Sequence, residues 1–560
     1  MQKYNNHSNY FIEFKKSLEY QAFVKNPVAY FCAEYALDSS FPTYAGGLGV
    51  LAGDFVREAA IQGFPLVSVG LLYKKAQSIL SLEEHKEKHK LKIVIDKNNQ
   101  EIIVSLPIEG RTVYAKAWLW EENKAKVYLL DTDTIENDVR DREITKHLYD
   151  ENRDTRLKQE ILLGIGGFRL LAQLGYRCSV YHLNEGHSAF LALELVRHEM
   201  EHQRVNFKNA CEYAKKHVIF TNHTLVPAGQ EQFLSEKVIL FIERCAMQIC
   251  LNSREISKLG SSENDPNTFS MTTLSFKISN KSNAVSKLHT EKSKKIWPNE
   301  VIENVTNGIF LPRWDKTRNV SKENIWEHHL ENKRKLLDLV KEKTGEIWNE
   351  TDLVFAWARR LVEYKQPLLF LDHLDKLLEI SKNSPMPIRI IFSGPTGDNE
   401  GSFVGKIKKI IEEQLKGTAA FIPNYSTDVA EILTDGADIW LNTPSVGSEA
   451  CGTSGMKAGL NGVLSLSTAD GWVYEVDGSE IGWIIDESQV EGELFYLVEK
   501  KILPLYEAHL KNKEGSEWTE KMWKVRSLIL ENFSTSRVLK EYIEKLYIPT
   551  LKQKHIHKID

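Results

Sequence analysis

The sequence predicts an α/β protein of two doubly wound, Rossmann-like lobes, and three observations carry that prediction. Short apolar runs of strand length alternate with stretches of helical periodicity, the alternation that builds parallel sheets. The pattern restarts after a polar stretch around 313 to 350. The chain has 560 residues, whereas single hydrophobic cores stop growing at roughly 250 to 300.

In the first half, VAYFCAEY (28 to 35), PLVSVGLL (65 to 72), SVYHLNEG (179 to 186) and VIFTNHT (218 to 224) read as buried strands. Leu157, Ile161, Leu162, Ile165, Phe168, Leu171 and Leu174 recur at three- and four-residue spacing and predict one apolar helix face. Between 101 and 131, EIIVSLPI, VYAKAWLW and KVYLLD follow one another without helices, which predicts an antiparallel β insertion in the first lobe. The turn formers of GSSENDPNTF, around 259 to 270, predict an exposed loop. In the second half, DLVFAWARR (352 to 360), IRIIFSGP (388 to 395), AAFIPN (419 to 424), DIWLNTP (438 to 444) and VLSLST (463 to 468) predict the second sheet. The lobes are expected to span 1–306 and 307–560.

Hydrophobic residues at 42% and charged residues at 27% are ordinary globular usage. A net charge of -5 gives no global pull toward nucleic acid or anionic membrane. Neither is expected as a partner, and any anion must be bound by a local cluster. Cys32, Cys178, Cys211, Cys245, Cys250 and Cys451 lack paired spacing, which predicts reduced thiols and no zinc site. Residues 1 to 11 are polar, and no apolar stretch reaches about 20 residues, so the expected location is the cytoplasm.

Open α/β sheets bind ligands beyond the carboxyl ends of their strands, so two such lobes facing each other would line a cleft. Three strand-end motifs stand out. In YAGGLGVLAGD (44 to 54), Gly46, Gly47 and Gly49 precede a helix-like stretch and read either as a tight turn or as a cradle of N–H groups for an anion. In ARRLVEYK (358 to 365), Arg359, Arg360 and Lys365 either hold phosphate or form a solvated helix start paired with Glu363. In SEACGTSGMKAGLNG (448 to 462), small residues surround Lys457. This reads either as a surface lysine after a flexible loop or as a lysine among apolar neighbours, where lost solvation of the charged form favours the neutral amine that forms an imine. NEGH (184 to 187), TNHT (221 to 224) and TNGI (306 to 309) add amide and imidazole groups suited to sugar hydroxyls, although His187 or His223 taken alone reads as a structural histidine.

Taken in order, these segments resemble the α-glucan (glycogen/maltodextrin) phosphorylase family, in its short bacterial and archaeal branch. The resemblance runs through FCAEYAL and GGLG, VYLLDTD, RLKQEILLGIGG, HLNEGHSAF, TNHTLVPAGQEQF, NAVSKLH, NVTNGI, RRLVEYK, IPNY, ADIWLNTP, and EACGTSGMKAGLNG followed by DGW. It implies the GT-B glycosyltransferase fold, an N-terminal glucan-binding lobe and a C-terminal lobe for pyridoxal 5'-phosphate and phosphate. It also implies phosphorolysis of α-1,4-glucan to glucose 1-phosphate with retention. Lys457 is then the Schiff-base lysine of the cofactor, with Arg359, Thr453 and Ser454 at its phosphate and Tyr425 and Trp314 as aromatic neighbours. Arg360 and Lys365, with the Gly47 backbone, would hold substrate phosphate; His223, Asn307, Glu449, Gly452 and Glu34 would address the sugar. Neither Glu34 nor Glu185 is expected to be a nucleophile, because phosphate supplies both acid and attacking oxygen.

The chain departs from the family pattern at Arg359, where the long enzymes carry lysine, at Ser454-Gly455, at Cys451 and at SGPTGDNEG (393 to 401). The resemblance further implies insensitivity to AMP, since few residues precede the first apolar strand. Self-association into a homo-oligomer stays open. The competing readings are a nucleotide-sugar-dependent glucan synthase of the same architecture, which would not need Lys457, and an inactive glucan-binding protein.

Overall fold

In a computed structural model of the chain, residues 7–38, 41, 43–74, 84, 87, 91–225, 230–261, 265–394, 403–513 and 515–553 are described. Most of SGPTGDNEG, from 395 on, lies outside them, as do 226–229 and 262–264. The first-half strands are β1 (Val28–Phe31), β2 (Leu66–Leu71), β3 (Lys92–Ile93), β4 (Ile103–Ile108), β5 (Arg111–Glu122) and β6 (Ala125–Asp131). They continue with β7 (Val180–Asn184), β8 (Val218–Thr221), β9 (Gln232–Leu234), β10 (Thr268–Ser270), β11 (Lys281–Ala284) and β12 (Ile302–Asn304).

All but β9 and β10 join one sheet, in the order β12-β11-β8-β7-β1-β2-β6-β5-β3, with β4 on β5. From β12 to β6 every pairing is parallel. These parallel strands, renumbered in chain order, run 3-2-1-4-5-6-7 across the sheet, the order of a dinucleotide-binding sheet with one further strand. The antiparallel β insertion expected in the first lobe is formed by β3, β4 and β5, which extend this sheet beyond β6. β5 pairs with edge strand β6 from Lys116 with Asp131 to Glu122 with Ala125.

Both faces of the sheet are covered. Ala29 and Phe31 of β1 enter one core cluster while Val28 and Tyr30 enter the other, the period of two that a buried parallel strand requires. The helical face containing Leu157, Ile161, Leu162, Ile165, Phe168 and Leu171 packs into the first cluster. That helix runs from Arg153–Ile161 through a π turn at Leu162–Gly166 to Gly167–Gln173.

The second sheet consists of β13 (Leu353–Ala358), β14 (Ile388–Ser393), β15 (Ala419–Ile422), β16 (Ile439–Asn442), β17 (Leu464–Thr468) and β18 (Gly482–Ile485). Its order is β15-β14-β13-β16-β17-β18, which renumbers to 3-2-1-4-5-6, and all pairings are parallel. The polar stretch before it carries the helix Ile325–Thr344, whose Leu336 and Val340 pack with Val354 and Ala356 of β13.

The chain divides into two compact units, Met1–Val285 with Ser293–Val305 and Ser536–Asp560, and Ser286–Lys292 with Thr306–Thr535. The return of the C-terminal segment differs from the expected division at 307–560. Its Val538, Leu539, Tyr542, Ile543, Leu546, Tyr547 and Leu551 pack with Val28, Tyr30 and Phe55 in the first unit. Tyr547 Oη bonds His182 Nδ1 of β7 at 2.9 Å. An amphipathic helix announces that it needs a core without saying which. Among the described residues, no helix is long and apolar enough to cross a membrane.

Candidate active site

In a doubly wound sheet the ligand crevice opens where the strand order reverses, which is between β1 and β7 in the first unit and between β13 and β16 in the second. The motifs singled out in the sequence follow these strands.

In the second unit, β13 ends at Ala358, and Arg359 follows it, 7% exposed. Its Nη2 donates to Leu441 O on β16 at 2.7 Å, and its guanidinium lies over the rings of Trp357 and Trp440 at 5.2 and 5.9 Å. Burial lowers its pKa to about 10, while Glu449 opposes the shift. Arg359 Nε is buried without a hydrogen-bond partner among the described residues. Arg360, next in the chain, is exposed. The two strand-end loops are tied together, because Ser445 N donates to Tyr364 O at 2.8 Å and Lys365 Nζ bonds Glu449 Oε2. Burial disfavours the Glu449 carboxylate, yet Lys365, Arg359 and Arg360 hold its pKa below the usual range.

Beyond Glu449 the chain turns through Gly452 at φ +78° into the helix Thr453–Leu460. No side chain caps this helix, so the N–H groups of its first turn, at Thr453 and Ser454, point out of its N-terminus, where an anion is favoured. One turn on, Lys457 is buried, and its Nζ lies 3.8 Å from the centre of the Trp314 ring. Asn461 fixes that pair, since its Nδ2 donates to Trp314 O at 2.9 Å and to Lys457 O at 3.1 Å. Tyr425, half-buried after β15, packs on the core cluster that contains Trp440 and Ala458. Asn307 is buried beside Gly308, whose absent Cβ lets the segment approach Ser534 O.

In the first unit, both Glu34 oxygens are engaged by the protein. Oε2 accepts from Ala45 N at 2.7 Å and Gly46 N at 3.1 Å, and Oε1 accepts from Tyr149 Oη at 2.8 Å. Glu34 thus shapes the glycine loop. Gly49 permits this, because a Cβ there would lie 2.9 Å from Glu34 Oε2. Gly47 is exposed in the first turn of the helix Gly47–Gln62, which also has no side-chain cap. After β8, His223 Nε2 lies 2.7 Å from Asn184 Oδ1, and Asn184 Nδ2 donates to Cys32 Sγ. A carbonyl oxygen only accepts, so Nε2 carries a proton in this contact. His223 N donates to Glu185 Oε2 at 2.9 Å, with Glu185 held at φ +74°.

Glu160, His187 and Glu231 also bring potential ligand atoms within 4.8 Å of one another. Arg153 and Arg156 pair with Glu231, however, and supply the positive charge that a cation would. Tyr149 in the first unit, and Asn461 and Asp470 in the second, fix the groups named above without having been assigned a role from sequence. Tyr149 had no local signal, being 115 positions from its partner Glu34.

Two doubly wound sheets, each with an uncapped helix start at its switch point, the second also with clustered cations and a buried lysine, define a group-transfer enzyme that handles anions. The carbohydrate phosphorylase family model matches residues 132–331 and 317–548. The maltodextrin phosphorylase of Thermococcus litoralis is 34% identical over 94% of this chain and 71% of its own length. The glycogen phosphorylases of Aquifex aeolicus and Mycobacterium tuberculosis are 30% and 29% identical, over 96% and 93% of this chain and 88% and 71% of their own. The chain belongs to the carbohydrate phosphorylase family, and is an enzyme of the glycosyltransferase type.

Proposed function

We propose that this protein is an α-glucan phosphorylase of the GT-B type, cleaving α-1,4-linked glucan with inorganic phosphate to release α-glucose 1-phosphate. The observation that carries the reading is the convergence, at one switch point, of a buried arginine with an orphaned Nε, an uncapped helix N-terminus and a buried lysine against an aromatic ring. The names of the relatives, maltodextrin and glycogen phosphorylase, support the substrate class.

These residues suit pyridoxal 5'-phosphate. Lys457 would hold it covalently, Trp314 and Tyr425 would flank it, and Arg359 with the N–H groups of Thr453 and Ser454 would take its phosphate. When bound, the cofactor supplies a phosphate group that exchanges a proton with inorganic phosphate. The remaining work falls to the chain. Arg360 and Lys365, with the backbone at Gly47, would hold the reacting phosphate and offset the repulsion between two phosphates. Glu449, ionised by its cationic neighbours, keeps Lys365 in place and with Gly452, Asn307 and His223 would address the sugar. Glu34, whose two oxygens serve the glycine loop and Tyr149, would act on the sugar through that loop. The first unit is then the glucan-binding lobe and the second the cofactor and phosphate lobe. Six cysteines outside any disulfide suit a reducing cytoplasm.

A nucleotide-sugar synthase needs cations and glycine loops too, but has no use for a buried Lys457. Borohydride reduction followed by peptide mapping tests the assignment. A pyridoxyl group on the Lys457 peptide, absent in Lys457→Ala together with phosphorolysis, is expected. A label on another lysine, or full activity in the variant, would refute it.

A further inference from the structure

We infer that Asp470 is a positioning residue for the transfer reaction, fixing the backbone of Ser448 and Glu449 and through it the Lys365–Glu449 pair. The inference rests on the phosphorylase reading given above. Asp470 follows β17, 1% exposed, with both carboxylate oxygens committed to N–H groups. Oδ2 accepts from Ser448 N at 3.1 Å and Glu449 N at 2.8 Å, while Oδ1 accepts from Gly471 N at 2.8 Å.

The next two residues close the cradle. Trp472 N donates to Cys451 O at 2.9 Å, and Gly471 has φ +57°. A Cβ at Gly471 would lie 2.3 Å from Cys451 O, so the segment approaches the loop as only glycine allows. The indole of Trp472 lies against Gly455, where a Cβ would be 3.2 Å from its Nε1. The segment Asp470 to Trp472 therefore grips the chain from Ser448 to Gly455, on which Glu449, Gly452, Thr453 and Ser454 are carried.

Two adjacent N–H groups held by one carboxylate oxygen leave the Glu449 backbone little freedom. Its side chain then meets Lys365 in one place. In Asp470→Asn an NH2 replaces one acceptor oxygen and faces an N–H donor, so part of the grip is lost without change of size.

The test uses the full-length wild type, Asp470→Asn, Glu449→Gln and the double variant. Amide exchange in the peptide covering 445–452 should quicken about tenfold in Asp470→Asn, with the melting temperature near wild type. The kcat/KM for inorganic phosphate should fall about ten- to hundredfold, and the double variant should lose far less than the product of the single losses. Unchanged exchange in 445–452, wild-type phosphate kinetics, losses that multiply, or a variant that does not fold would each overturn the role. If wild-type protein forms no glucose 1-phosphate, the phosphorylase reading fails, and the exchange measurement still decides whether Asp470 holds the loop.

Discussion

Arg359, Glu449 and Lys457 are charged or chargeable groups set where burial penalises charge, and each is held by a specific neighbour. Arg360 is exposed, which suits its proposed place at the substrate phosphate. Arg360→Ala is expected to lower kcat/KM for phosphate by about 1.5 to 3 kcal/mol, the scale of a charged hydrogen bond, with little change in glucan affinity. Steady-state kinetics with each substrate varied in turn checks this, and unchanged phosphate kinetics would remove Arg360 from the site. Glu185 gives a pH prediction. Burial raises its carboxyl to about 7 from 4.5, against the hydrogen bonds from His223 N and Gly186 N that favour ionisation. Its protonated form is therefore the one the fold prefers. That contribution is fully present below about 4.5 and is lost as pH rises through about 7, a change of about 3 kcal/mol. Glu185→Gln should gain melting temperature relative to wild type as pH rises from 5 to 8, and a gap independent of pH would contradict the burial argument. At this scale the sequence was informative about residue type and silent about partners. Lys457 and Arg359 stood out by motif, whereas Tyr149 and Asp470 act through contacts that only the fold creates.

The strands were legible as elements because a strand buried on both faces must be a short apolar run, and β1, β2, β7, β8 and β13 to β17 are such runs. The short strands β11 and β12 were less so, since Lys281–Ala284 and Ile302–Asn304 carry polar residues. The destination of the last helices was illegible for another reason. Tyr542 and Tyr547 advertise burial, but their partners His182 and Thr221 lie more than 300 residues earlier. Tyr547→Phe should leave buried His182 Nδ1 without its partner and cost about 1 to 3 kcal/mol. Thermal unfolding should show a lowered first transition, and a melting temperature equal to wild type would mean that apolar packing alone holds the segment.

For the whole molecule, two sheets of one strand order each place a glycine-bearing helix start or a cation cluster at the point of reversal, which is where α/β sheets of this order bind anions. The proposed cofactor, held at Lys457 and Arg359, would occupy the space that the remainder of a nucleotide diphosphate requires. Exclusion, more than attraction, then sets the donor. Glucose 1-phosphate should extend a maltodextrin primer, while UDP-glucose and ADP-glucose should not, and extension from either nucleotide sugar would favour the synthase reading.

The most direct measurement is the product formed from maltodextrin and inorganic phosphate alone, followed by phosphorus and proton nuclear magnetic resonance. The account predicts α-glucose 1-phosphate accumulating as the glucan shortens, with no free glucose at early times and no accumulation in Lys457→Ala. Release of free glucose, formation of the β anomer, or a glucan that stays intact until a nucleotide is supplied would contradict it.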